Sequence, residues 1–179
     1  FSNKHFYAPY GKELYPLKQY SENRLEPIKT LYCSNGYTEG KGSGIVNNIE
    51  AEEISKKIEE LINDSRYENK SFGIITLQGD QQASIIEDKL LRALGDKEFH
   101  KRKIVCGNSA SFQGDERDVV FLSLVTAHNH YRSALTKPED ERRFNVAVSR
   151  AKEQVWLFHS VQIEDLSNPE DLRYKLLYH

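Results

Sequence analysis

The sequence predicts an α/β domain, with a mainly parallel β-sheet covered by helices on both faces. Five short apolar runs carry this expectation: IKTLYC at 28–33, SFGIITL at 71–77, KIVC at 103–106, DVVFLSLV at 118–125 and VWLFHS at 155–160. They are continuous rather than alternating, the pattern of strands buried on both sides. Helix-forming segments lie between them, which is the order of a parallel sheet built from crossovers. The strand ends run into polar turns. Right-handed crossovers gather such turns on one edge, where open α/β sheets bind ligands.

The elements follow in order. Residues 1–27 carry Phe1, Phe6, Tyr7, Tyr10, Tyr15 and Tyr20 among Pro9, Pro16 and Pro27. Neither a helical nor a strand period survives those prolines, so an irregular arm held by its aromatics is expected, with residues 28–179 as the domain proper. After the first strand, SNGYTEGKGSG at 34–44 reads as a flexible surface loop. It lacks the GxxxxGK[ST] pattern of a Walker A phosphate cradle. A helix capped by Asn48 follows, with Ala51, Ile54, Ile58, Leu61 and Ile62 on one face. The second strand leads to a helix over 80–94, with Ile85, Ile86, Leu90 and Leu94 inward and Gly95 at the C-cap. GNSASFQGDE at 107–116 is a loop, 118–125 a central strand, and AHNHYRSALTKP at 127–138 a long loop. A helix over 139–151, the strand 155–160 and a short helix opening near Pro169 complete the chain.

The chain has 179 residues, the size of one domain with its own core. With 25 basic and 27 acidic residues its net charge is −2, which argues against nucleic-acid binding through a global basic field but permits a local basic groove. No apolar run is long enough to span a bilayer, so no membrane partner is expected. The first residues, FSNKHFYAPYG, contain neither a methionine nor an apolar signal region, and read as the start of an excised piece. Cys33 and Cys106 read as buried free thiols of a reducing, cytoplasmic compartment. No cysteine or histidine spacing fits a metal site. His100, His128, His130 and His159 lack nucleophile or carboxylate partners at motif spacing, and Asp80, Glu87 and Asp88 form no acid/base pair.

Four polar segments at strand or helix ends are candidates for chemistry. In RRFNVAVSRAK at 142–152, Arg143, Val146 and Arg150 share a helix face while Phe144, Ala147, Val148 and Ala151 face inward. An arginine on a packed helix presents its fork to phosphate at small entropic cost. Periodicity alone equally allows these arginines to solvate the helix and pair with Glu139, Asp140 and Glu141, and Arg142 fits that structural role best. In FQGDERD at 112–118, Gly114 permits a tight turn, while Gln113 and Glu116 offer hydrogen bonds to a sugar or base. Asp115 and Asp118 equally suit pinning the turn. Asn108, Ser109 and Ser111 can donate to a nucleic-acid backbone or simply form a polar loop. Gln78, Gln81 and Gln82 can present amides or sit on an exposed turn without purpose.

Together these segments resemble the second RecA-like domain of superfamily 1 helicases of the Upf1-like branch, and most of all large bacterial helicase-related proteins. NNIEAEE at 47–53 is similar to the family's N-x-x-E-A helix start, GIITLQGDQQ at 73–82 to motif IV, SFQGDERDVVFLS at 111–123 to motif V, and ERRFNVAVSRAK at 141–152 to motif VI. FSNKHFY at 1–7 looks like the segment that precedes this domain, so the resemblance covers nearly the whole chain.

The resemblance implies a three-layer RecA-like fold of the P-loop NTPase type, without a Walker A loop of its own. It implies a site shared with a first RecA-like domain of the same polypeptide, using ATP and Mg²⁺ there and binding none tightly here. Arg150 takes the place of the arginine that reaches the γ-phosphate, and so the catalytic role. Glu116 takes the ribose position, Gly114 shapes the turn, Gln81 is the motif IV glutamine, and Arg143 braces the nucleotide site. Asn108, Ser109 and Ser111 fall in the loop that touches single-stranded DNA or RNA. Two departures stand out. Gln82 replaces an arginine frequent in eukaryotic members, and Gln78 replaces an aromatic. The other readings are a non-catalytic RecA-like interaction module and, more remotely, a metal-dependent nuclease, against which the missing carboxylate cluster speaks.

Overall fold

The computed structural model describes residues 1–13, 15, 24–130 and 133–179. Pro16 and Tyr20 of the arm, and Tyr131 and Arg132 of the 127–138 loop, lie outside the described residues. In chain order the main elements are β1 (Ile28–Tyr32), α1 (Asn48–Ile62), β2 (Phe72–Thr76), α2 (Asp80–Lys101), β3 (Val105–Asn108), β4 (Arg117–Ala127), α3 (Pro138–Ser149), β5 (Ala151–Ser160) and α4 (Leu172–Tyr178). The strands form one sheet in the order β1-β5-β4-β2-β3, and each adjacent pair is parallel. The expected three-layer RecA-like architecture is present, with β4 central.

Strand alternation divides the core into two layers. Phe72, Ile74, Val119, Phe121, Trp156 and Phe158 meet Ala51, Ile54 and Ile58 of α1 and Ile86 and Leu90 of α2. The intervening residues Ile75, Val120, Leu122 and Leu157 face the other way, onto Phe144 and Ala147 of α3 and Leu172 and Leu176 of α4. Burying each such side chain contributes about 1.5–3 kcal/mol, so both faces are needed to hold the sheet. Phe1 and Phe6 of the arm pack against the second layer, and Asn145 Nδ2 of α3 donates to the Tyr7 hydroxyl at 3.0 Å. Tyr10 and Tyr15 remain exposed, while the end of the arm is held by buried Leu25 and by the Glu26 and Pro27 carbonyls, which accept from Gln154 Nε2 at 2.7 Å and Val155 N at 2.8 Å.

Several boundaries differ from expectation. Asn47, not Asn48, caps α1, its side chain accepting from Glu50 N at 3.1 Å. Gly95 does not end the second helix. It takes φ 70° and ψ 162°, and helical turns resume beyond it to Lys101, so its open backbone makes a kink. Lys103 has φ 49°, which turns the chain and delays β3 to Val105. Residues Ser109–Phe112 of the expected loop form a 3₁₀ turn. The third helix stops at Ser149 and β5 begins at Ala151, earlier than Val155. Asp171 rather than Pro169 opens α4, because its carboxylate accepts from Arg173 N at 2.9 Å. Cys33 is buried and Cys106 only half-buried.

A polar knot closes the C-terminal end of β4. Glu50 is fully buried. Its Oε2 accepts from Ser123 Oγ at 2.6 Å and Val125 N at 2.8 Å, and its Oε1 from Ser160 Oγ at 2.7 Å. Val125 takes φ 65°, a costly conformation for a β-branched residue. Its carbonyl accepts from Asn47 Nδ2 at 3.1 Å and Thr38 Oγ1 at 3.0 Å, so side chains satisfy the peptide groups that the bulged strand does not. Burial pushes the Glu50 carboxyl up to about 7 despite donors from Ser123, Ser160 and the Val125 N–H.

Two outcomes are expected. Because the folded pKa of Glu50 lies above its ordinary 4.5, the folded state binds the extra proton, and stability falls as pH rises through about 7. The full effect is about 3 kcal/mol. His159, held below 6.5 by burial, contributes the opposite slope. The measurement is therefore the difference between wild type and Glu50→Gln in urea midpoints from about pH 5 to about pH 8, where the variant lacks the downward component. Gly79, at the turn from β2 into α2, has φ 71°, and a Cβ there would stand 2.2 Å from the Ile45 carbonyl oxygen. Gly79→Ala is expected to lose at least about 2 kcal/mol of unfolding free energy in the same assay.

Candidate functional site

The polar segments gather at two ends of α3. Helix α3 runs antiparallel to the strands it covers, from the loop after β4 back to the start of β5, because a right-handed crossover requires this return. Its N-terminal half faces the C-terminal ends of β2 and β3. Its last residue, Ser149, leads through Arg150 into β5.

At the second end, Arg150 is the C-cap of α3, and its carbonyl accepts from Arg117 N at 3.0 Å at the start of β4. A cation is favoured at this negative end of the helix dipole. One guanidinium nitrogen donates to Ser149 Oγ at 2.9 Å, while Nε is buried with no hydrogen-bond partner. A buried donor without a partner is costly unless something outside the chain completes it. Beside it runs the turn 113–116. Gly114 has φ 82°, the left-handed region in which glycine is at ease, with open space where a side chain would stand. Glu116 is exposed, and its backbone N–H donates to Asp115 Oδ1 at 2.9 Å. The Arg117 guanidinium holds Asp115 below the usual carboxylate range, and Asp118 accepts from Ser71 N and Oγ at 2.8 and 2.7 Å. Asp115 holds the turn and Asp118 ties the start of β4 to Ser71, while the Arg117–Arg150 backbone bond sets Arg150 beside the segment that carries Gly114 and Glu116.

At the first end lies a cavity of about 450 Å³ between the C-terminal ends of β2 and β3 and α3. Arg143 lines it together with Asn108 and Ser109. Arg143 is two helical turns from Arg150, about 10 Å along the axis, so α3 places it with the nucleic-acid candidates rather than beside Arg150. Its guanidinium contacts Asp140 at 2.6 Å, and its Nε is buried without a partner. Asn108 Oδ1 caps the 3₁₀ turn through Ala110 N at 2.9 Å and Ser111 N at 3.2 Å, and Nδ2 donates to Asp80 Oδ1 at 2.8 Å. Ser109 Oγ donates to the Arg143 carbonyl at 2.9 Å. Ser111 is exposed, its hydroxyl 3.4 Å from Asn108 Oδ1. Asn108 and Ser109 thus spend polar atoms on fixing the loop to α2 and α3.

Gln81 and Gln82 separate completely. Gln81 is exposed beside the 42–44 turn. Gln82 is fully buried: Oε1 accepts from Asn47 N at 2.8 Å, and Nε2 donates to Asn47 O at 3.1 Å and Ser123 Oγ at 3.2 Å. It brackets the starts of α1 and α2, so its position is structural here. Sequence reasoning named Gln78 as an amide at a strand end and Arg142 as structural, but did not bring them together with Asp80 and Val146 at one cavity. The signal was their place at a strand end and on one helix turn, visible only once β2 and α3 are neighbours. Arg142, read as structural, is exposed at the cavity and has no ion-pair or hydrogen-bond partner among the described residues. Among those residues no group of three or more His, Cys, Asp or Glu is placed to hold a metal ion. No helix there is long and apolar enough to cross a membrane.

Comparison with known proteins agrees with the fold. The sequence model of the family described as AAA domain matches residues 1–162. The chain is 33% identical over 156 residues to an uncharacterized ATP-dependent helicase of Mycoplasma genitalium, covering 80% of this chain and 14% of that protein. It is 32% identical over 111 residues to the ATP-dependent helicase NAM7 of Saccharomyces cerevisiae, covering 62% of this chain and 11% of that one. It is 29% identical over 160 residues to the ATP-dependent helicase upf1 of Schizosaccharomyces pombe, with 87% and 16% covered. The chain therefore spans about a seventh of the length of such relatives, 14% in the first case. With its parallel five-stranded RecA-like sheet and a match over most of its length, this chain belongs to the AAA domain family and is homologous to the Upf1-like superfamily 1 helicases.

Proposed function

We propose that this chain is the second RecA-like motor domain of an ATP-dependent helicase, related most to the large bacterial members of the Upf1-like branch. In this reading it completes an ATP site held mainly by a first RecA-like domain of the same cytoplasmic polypeptide. The observation that carries the reading is Arg150: a guanidinium fixed at a helix end, its buried Nε unpartnered, beside the Gly114 turn and Glu116. Those three residues fit a nucleotide. Arg150 offers donors to a phosphoryl group, Glu116 an acceptor to ribose hydroxyls, and Gly114 room for close approach. Arg143 and Gln81, given to the nucleotide by the resemblance, stand apart from this trio, and Arg143 is reassigned here to the strand-binding edge with Asn108, Ser109 and Ser111. Bound Mg²⁺-ATP supplies the γ-phosphoryl group. This chain contributes positive charge where negative charge develops on transfer, the role in which an arginine is worth about 10³–10⁵ in rate. The Walker A lysine and the carboxylates that hold Mg²⁺ belong to the partner domain. The strand bound is single-stranded DNA or RNA.

In the full-length parent, Arg150→Ala is expected to reduce strand-stimulated ATP hydrolysis by about 10³-fold or more while the affinity for a non-hydrolysable ATP analogue changes less than about tenfold. Steady-state phosphate release and equilibrium binding measure the two. Hydrolysis at the wild-type rate in the variant, or turnover by the isolated chain, overturns the assignment.

A further inference from the structure

The cavity at the first end of α3 has a chemistry that backbone binding does not explain. Its volume, about 450 Å³, is that of a small-molecule site. Leu77, only 2% exposed, and Val146 give it apolar walls. Gln78 and Asp80 flank Gly79 on its rim. Gln78 Oε1 accepts from the Thr126 hydroxyl, which leaves Nε2 without a partner among the described residues. Asp80 Oδ1 accepts from Asn108 at 2.8 Å, which leaves Oδ2 as an acceptor. A carboxylate beside the cavity repels phosphate, so a phosphodiester is the wrong occupant. An apolar slot with one adjacent donor and one adjacent acceptor suits the edge of a nucleobase. The positive charge lies with Arg142, exposed and unpaired among the described residues, where the sugar–phosphate of the same nucleotide would pass.

We infer that this cavity receives one unstacked nucleobase of a bound single strand, with Gln78 and Asp80 reading its edge and Arg142 holding the adjacent phosphate. The inference rests on the proposed strand-binding role of this edge and adds a base contact to it. Because Asp80 can only accept, it takes an N–H of the base: the exocyclic amine of cytosine, adenine or guanine, or the ring N–H of thymine. The occupied site gives the domain a grip on the base, and not the backbone alone, of the strand that it moves along.

The test is fluorescence anisotropy of the 179-residue chain at low salt with labelled twelve-nucleotide strands: oligo-dC, oligo-dT and an abasic deoxyribose-phosphate strand of equal length. Oligo-dC and oligo-dT are each expected to bind about tenfold tighter than the abasic strand, the value of one lost donor–acceptor pair. Val146→Trp, which fills the cavity, and Gln78→Ala, which spares the packing, should each bring oligo-dC toward the abasic affinity and leave the abasic affinity unchanged. Arg142→Ala should weaken all strands alike. Equal binding of oligo-dC and the abasic strand by the wild type overturns the base site but leaves the strand-binding reading standing. Displacement of oligo-dC by free dCMP at concentrations near the strand's own Kd reassigns the cavity to a free nucleotide and overturns the inference. Failure to bind every strand overturns it together with the strand-binding part of the proposed function. The Arg150 role is read separately, by hydrolysis in the parent.

Discussion

The buried carboxyl of Glu50 is the interaction on which the functional edge depends. It stands where α1, β4 and β5 meet, and its two oxygens collect donors from Ser123, Val125 and Ser160. A carboxylate taken out of water is costly alone, and hydrogen bonds from fixed hydroxyls and a peptide N–H offset much of that cost. In exchange, β4 holds Val125 at φ 65° and bends away from regular pairing before Ala127. Gln82 and Asn47 extend the same knot to the start of α2. The loops that end β2 and β4, and the path toward α3, are therefore set by one connected polar cluster rather than by separate turns.

Helix α3 carries its two arginines, Arg143 and Arg150, to two different edges of the sheet. Phe144 and Ala147 bury its inner face under β4 and β5, so the helix cannot rotate without exposing both. Arg143 then falls over the ends of β2 and β3, and Arg150 at the start of β4 and β5. Ser109 Oγ, bonded to the Arg143 carbonyl, ties the 3₁₀ turn to the helix. In the proposed motor, this rigid rod would join the strand-binding end to the nucleotide end, so that events at one end would be felt at the other.

Much of the fold was legible because continuous apolar runs and the 3.6-residue period survive in the sequence. All five strands and the helices covering them were visible in that way, with errors confined to ends. Those errors share a cause: boundaries depend on single contacts, such as the Asn47 side chain at Glu50 N or the Lys103 backbone at φ 49°, which periodicity does not encode. The motif residues were also legible as residues, but their partition was not. Arg143 and Arg150 lie in one segment and face different edges; Gln81 and Gln82 are neighbours, one exposed and one fully buried.

The sequence by itself determined the class of fold, the central place of 118–125 and the candidacy of Arg150, Gly114 and Glu116, because those follow from local pattern and motif. Only the tertiary structure decided that Gln82 is a brace, that Arg142 lies unpaired at a cavity, and that Glu50 holds the strained end of β4. Each of these depends on groups that are dozens of residues apart in the chain, as Glu50 and Ser160 are, and become neighbours only when parallel strands are brought together by their crossovers.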